Sequence, residues 1–163
     1  MINYNLKECL SITQEKKFGI CDDNDKSPAY INSDNEKIWI AHVKNEKELE
    51  IQFTAIDNCI KIKKENGDDE SSCDGMLRYN SNIVFVELKN KRKSWITDGA
   101  KQLLISIKIF FENNEINMYK KKMAFLCNSQ HPHFHYGHQE LMQKFSNETN
   151  GVRLVIDNII TLK

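Results

Sequence analysis

Asp74 opens one apolar run, Gly75-Met76-Leu77-Arg78-Tyr79. Twelve residues separate it from Glu87, which stands near the end of a second, Ile83-Val84-Phe85-Val86-Glu87-Leu88-Lys89. Both runs read as strands. Alternate residues of a strand share a face, so Glu87 and Lys89 project together. If the two strands pair as a hairpin, Asp74 meets them across the ladder. Two converging carboxylates are what a hard divalent cation such as Mg²⁺ needs, with Mn²⁺ as a substitute. A lysine beside them could hold a water and stabilise charge on a phosphate, and in-line attack of water on phosphorus is coherent chemistry for such a set. The plainer alternative is a salt bridge between Glu87 and Lys89 at a strand end, which loose spacing of this kind often produces by chance.

The flanking elements decide how these residues can be positioned. After Lys89 the apolar period changes from two to three and four, with Trp95, Ala100, Leu103, Leu104, Ile107, Phe110 and Phe111 on one side. That spacing predicts an amphipathic helix of roughly fifteen residues, with Thr97 or Asp98 as its N-cap. Lys122 to Cys127 returns to strand, and a short helix is expected over His138 to Phe145. Val152–Ile156 and Ile159–Leu162 read as a closing hairpin around Asp157-Asn158. Upstream, Asn5 to Gln14 is weakly helical, Ile38 to Val43 is β-rich, and Glu50 to Ile62 alternates in part as a strand. The polar stretches Cys21–Lys26 and Lys63–Ser72 read as surface loops. The predicted class is α/β (α+β), one domain over residues 1–163 with a mixed central β-sheet flanked by helices.

At these residues the chain resembles the PD-(D/E)xK nuclease superfamily. Cys73-Asp74-Gly75-Met76-Leu77-Arg78-Tyr79 followed by Val84-Phe85-Val86-Glu87-Leu88-Lys89 is similar to that family's Asp, spacer, Glu-x-Lys signature. The resemblance covers about residues 45–128, and its restriction-endonuclease-like core runs helix, three strands, helix, strand. It implies that Asp74, Glu87 and the backbone carbonyl of Leu88 bind Mg²⁺, and that Lys89 positions the attacking water. It also implies that Gln102, on the long helix, faces the site. Cys73 stands where many members have Pro. A further Glu on the first helix would be Glu8, Glu48 or Glu50, and Asp57 is another acidic group that could approach. The resemblance implies hydrolysis of DNA, in settings such as restriction, repair or defence against phage. A non-enzymatic interaction module built on the same fold is the alternative.

Lys89-Asn90-Lys91-Arg92-Lys93 carries four cations in five residues, directly after the candidate lysine. Lys91, Arg92 and Lys93 could contact phosphates and Trp95 could stack on a base, against the alternative of a solvated loop. Lys61, Lys63, Lys64 and Lys120–Lys122 read as polar edges. Four of the five histidines fall within residues 131–138. In an extended chain His131, His133 and His135 share a face that could ligate Zn²⁺ or meet a partner, although no Cys or acidic residue completes a recognised ligand pattern.

Composition bounds the rest. The chain has 163 residues, with 23 Lys+Arg against 23 Asp+Glu, so its formal net charge is zero. Bulk charge therefore does not make it a nucleic-acid binder. The balance is global rather than local: acidic residues gather at Asp22–Asp25 and Asp68–Glu70, and cations beside the candidate site. The isolated chain is expected to bind DNA weakly and in a salt-sensitive manner, so that a homodimer or a partner subunit would supply tight engagement. No apolar run is long enough for a membrane span and the first residues have no signal pattern, which reads as a cytoplasmic protein. The five cysteines are scattered without a CxxC, and they are expected to be mostly buried hydrophobes rather than a disulfide framework.

Overall fold

The computed structural model describes residues 1–131 and 137–163. The strands are β1 (Leu10–Thr13), β2 (Lys17–Cys21), β3 (Tyr30–Asn32), β4 (Ala41–Lys44), β5 (Ile51–Ala55), β6 (Gly75–Tyr79), β7 (Asn82–Lys89), β8 (Lys121–Asn128), β9 (Arg153–Ile156) and β10 (Ile159–Thr161). The helices are α1 (Trp95–Asn113) and α2 (Gln139–Glu148). A six-stranded sheet has the order β1-β5-β6-β7-β8-β9, and a four-stranded sheet the order β10-β4-β2-β3. The larger sheet is mixed: β1, β5, β6 and β7 pair antiparallel, while β7, β8 and β9 are parallel. Parallel neighbours need a crossover, and α1 and α2 supply the two. The α+β class expected from the sequence is the class observed.

The large sheet is covered on both faces. Met76, Ile83, Phe85, Ala124 and Leu154 meet Leu103, Ile107 and Phe110 of α1 and Phe145 of α2 in one core. Leu77, Val84, Val86 and Phe125 meet Phe18, Ile20, Val43 and Ile160 in the other. β7 is thus buried on both faces, which explains its unbroken apolar sequence. The four-stranded layer is not legible as a unit, because β2 and β3 are short and a polar stretch separates them.

Three local expectations are corrected. Residues 5–14 form not a helix but a single 3-10 turn, Lys7–Cys9, followed by the edge strand β1. Pairing with β5 satisfies that backbone where a weak helix of so few residues would not. Helix α1 begins two residues before the earliest expected cap, with Ser94 as N-cap at φ 58°, and it runs for 19 residues. Asp98 lies in its first turn, where a carboxylate favours the helix dipole. The closing segments are not a hairpin. Leu154 and Ile156 belong to the helix-side core, Ile160 and Leu162 to the sheet-side core, so β9 and β10 join different sheets.

The cysteine expectation is half corrected. Cys21, Cys73 and Cys127 are free and buried, but Cys9 and Cys59 form a disulfide that ties the N-terminal turn to the segment after β5. Among the described residues no helix is long and apolar enough to cross a membrane.

Candidate active site

The site forms where β5 and β7 end and β6 begins. The ladder pairs Gly75 with Val86, so Asp74 and Glu87 lie next to one another just beyond it. Asp74 and Glu87 share the face of Met76 and Phe85, toward α1. Two glycines permit the approach of the surrounding elements. A Cβ on Gly75 would lie 2.5 Å from the Phe53 ring, and one on Gly99 would lie 2.4 Å from Leu126, so α1 settles closely on β8.

The backbone N–H of Leu88 donates to Asp74 Oδ2 at 2.7 Å. Lys89 Nζ lies 3.5 Å from Glu87 Oε1 and donates to Gln102 Oε1. Gln102 Nε2 in turn donates to the carbonyl of Ser72 at 3.4 Å. Lys89 is therefore held between a carboxylate and an amide from the helix. The N–H of Cys73 donates to Ser106 Oγ of α1 at 2.6 Å. A proline at this position would lack that donor, which gives a local reason for cysteine there.

Burial is the main influence on the two carboxyls. It pushes Asp74 up to about 6, against the hydrogen bonding it receives, and the charges of Asp22 and Asp57 act in the same direction as burial. Glu87 is raised well above the ordinary carboxylate range, first by burial and then by the charge of Asp74, with Lys89 opposing. Its Oε2 is buried and has no hydrogen-bond partner. Asp57 is likewise raised by burial, with Lys89 opposing.

The residues singled out in the sequence divide clearly. Asp74, Glu87, Leu88, Lys89 and Gln102 come together. Asp57 stands at the same end of the sheet, its N–H donating to the Cys73 carbonyl at 3.2 Å. Asp22, at the end of β2, acts on both Asp74 and Asp57 and was not anticipated as a site neighbour. Only the fold reveals it, because it comes from the other sheet. Glu48 and Glu50 precede β5 and so lie at its opposite end, and among the described residues no α-helix precedes β5 to carry a further Glu. Among the described residues, no three His, Cys, Asp or Glu side chains group as metal ligands.

Lys91, Arg92 and Lys93 are exposed on the loop between β7 and α1, immediately beyond Lys89. The loop is braced from β8. Asn128 is fully buried, and its Nδ2 donates to the Lys91 carbonyl at 2.7 Å. Its Oδ1 accepts from the N–H groups of Lys91 at 3.3 Å and Gln130 at 3.0 Å. Asn128 and Asn158 exchange two hydrogen bonds of 2.8 and 3.0 Å. Arg92 Nε donates to Gln130 Oε1 at 3.2 Å. Trp95 is placed otherwise than a base-stacking platform requires: it is only 5% exposed and its ring stacks on His131 at 5.6 Å. His133 and His135 lie outside the described residues.

Comparison of the chain with known protein families, curated proteins and solved structures returned no match.

Proposed function

We propose that the protein is a Mg²⁺-dependent nuclease of PD-(D/E)xK type acting on DNA. The observation that carries this reading is the convergence of Asp74, Glu87 and Lys89 at one end of the large sheet, with Glu87 Oε2 buried and without a partner. The segment β5-β6-β7-α1-β8 has the order of three strands, helix and strand in a restriction-endonuclease-like core, and here an edge strand stands in place of the opening helix. Two facing buried carboxylates are costly to keep without a cation. Mg²⁺ commonly retains several waters and takes only one or two carboxylates from the protein, so Asp74 and Glu87 with the Leu88 carbonyl fit it; Mn²⁺ has the same preference for oxygen ligands.

Bound there, Mg²⁺ would offset charge on the scissile phosphate and lower the pKa of a water. The residues of the chain account for the remainder. Lys89 Nζ, braced by Gln102, holds the attacking water and faces the developing charge. The Leu88 N–H fixes the Asp74 carboxylate. Lys91, Arg92 and Lys93 contact the DNA backbone, which positions the substrate without reading its sequence. With no net charge on the chain, a homodimer or a partner subunit supplies the remaining affinity.

The test is incubation of plasmid and linear DNA with the protein in Mg²⁺, Mn²⁺ or EDTA. Cleavage is expected with either metal and not with EDTA. Lys89→Ala should lower the rate by roughly two orders of magnitude or more, and Asp74→Ala should abolish it. Equal cleavage by wild type and both variants would overturn the assignment. Absence of cleavage under every condition would favour the interaction module.

A further inference from the structure

Between β8, β9 and β10 lies a groove of about 520 Å³ that runs from Lys121, at the end of β8 remote from Asp74 and Glu87, to Asp157. We propose that it docks an extended acidic segment of a partner protein, added as a fifth strand to the four-stranded sheet. The inference does not depend on the nuclease reading.

The first support is the free edge. Among the described residues, β10 is the outer strand of its sheet and pairs with β4 alone. His42 N–H donates to the Asn158 carbonyl at 2.7 Å, and Leu162 N–H donates to the Lys44 carbonyl at 2.9 Å. Residues 158, 160 and 162 therefore turn their backbone groups to β4, and Ile159 and Thr161 turn theirs outward. Asp157 Oδ1 takes the Ile159 N–H at 3.1 Å. Among the described residues, none bonds the Ile159 carbonyl or either backbone group of Thr161 at this edge.

The second support is the uncovered floor. Met123, Phe125 and Val155 line the groove on the face that the four-stranded sheet covers elsewhere. Val84 and Val86 of β7 are buried beneath that sheet, but Met123 and Val155 are only partly buried, and Ile159 is 44% exposed. The small sheet stops one strand short. Strands pair about 4.8 Å apart, so a strand added to β10 would extend over β8 and β9 and exclude water from these side chains.

The third support selects the occupant. Lys121, Arg153 and Lys163 are exposed around the groove, with Asp157 as the carboxylate among its lining. Cations beside an open edge discourage pairing with a like strand. Two copies joined through β10 would bring the same cations together, whereas acidic side chains on an incoming strand are complementary to them. Main-chain hydrogen bonds would supply the affinity and the alternate side chains the selection, as in other β-strand additions.

The probe is a fluorescein-labelled heptapeptide of alternating Val and Glu, with a second peptide carrying Lys in place of Glu. Binding is read by anisotropy, and the site by amide hydrogen exchange. The Glu peptide should bind and protect the Thr161 amide, and the Lys peptide should not. The double variant Lys121→Glu, Arg153→Glu should weaken binding by about tenfold or more. Both positions are exposed, and an unchanged circular dichroism spectrum shows that the fold is kept. No binding at millimolar peptide, equal binding of the two peptides, or protection that spares Thr161 would overturn the proposal. So would concentration-dependent dimerisation that protects Thr161, which makes a second copy the occupant.

Discussion

Asp74 and Glu87 are adjacent at the end of the β6–β7 ladder, 8% and 2% exposed, with a single lysine 3.5 Å from one of them. Burial raises both carboxyls and the charge of Asp74 raises Glu87 further, so ionising the pair opposes folding when no cation is bound. Asp74→Asn keeps an oxygen to accept the Leu88 N–H and removes that charge. In EDTA the variant should be more stable than wild type by about 1 kcal/mol, while losing cleavage. Urea denaturation measures this. Mg²⁺ should raise the midpoint of wild type through binding to the folded state and leave that of Asp74→Asn nearly unmoved. A variant less stable than wild type in EDTA would count against the charge conflict.

The parts of this arrangement that could be read from the sequence are those fixed by nearest-neighbour geometry. Glu87 and Lys89 are two residues apart on one strand, and Asp74 lies one hairpin away. The change of apolar period after Lys89 placed α1 over the site. What escaped depends on contacts distant along the chain. Asp22 reaches the site from the second sheet. Cys9 and Cys59 are 50 residues apart and carry no spacing signal. Trp95 beside a basic run resembles a stacking platform until the core claims it. Asp157-Asn158 resembles a turn, but Asn158 is engaged by Asn128 and the strands on either side of it enter different layers.

The disulfide lies close to the candidate site. Cys59 follows β5 by a few residues, and in that segment Ile56 N–H donates to the Asp74 carbonyl at 2.9 Å. Opening a cross-link that closes a loop of this size costs roughly 2–4 kcal/mol. Dithiothreitol should lower the urea midpoint of wild type by a corresponding amount and leave Cys59→Ser unaffected. Peptide mapping without reductant should recover Cys9 and Cys59 together. Two free thiols with an unchanged midpoint would show that the bond contributes nothing.

His42 of β4 sets a pH dependence away from the site. Its ring meets Trp39 edge to face at 5.4 Å. Burial holds its pKa below the ordinary 6.5, Lys17 acts in the same direction, and Glu36 opposes both. The unfolded chain therefore binds this proton more readily than the folded chain. Stability falls as pH drops through the unfolded value of 6.5 and levels off below the folded one. His42→Gln cannot bind the proton. Relative to wild type, it should gain stability on going from about pH 7.5 to about pH 5, as read from urea midpoints. A constant difference across that range would remove His42 as the source.

The loop after β7 yields a prediction that separates local charge from net charge. Lys91, Arg92 and Lys93 are exposed, and the loop backbone is held by Asn128 at Lys91 and by Gln130 at Asn90, so alanine at all three positions should leave the fold intact. Every phosphate left without its cation lowers the salt dependence of DNA affinity by roughly 0.7–0.9 in the logarithmic slope. The triple variant should therefore lose roughly two units of slope together with affinity, read by anisotropy of a labelled duplex in EDTA across a salt series. Lys120→Ala, Lys121→Ala alters charge at the opposite end of β8, remote from Lys89, and should leave the slope unchanged. If both variants shift it equally, binding reflects diffuse charge, and the loop has no special part in holding DNA.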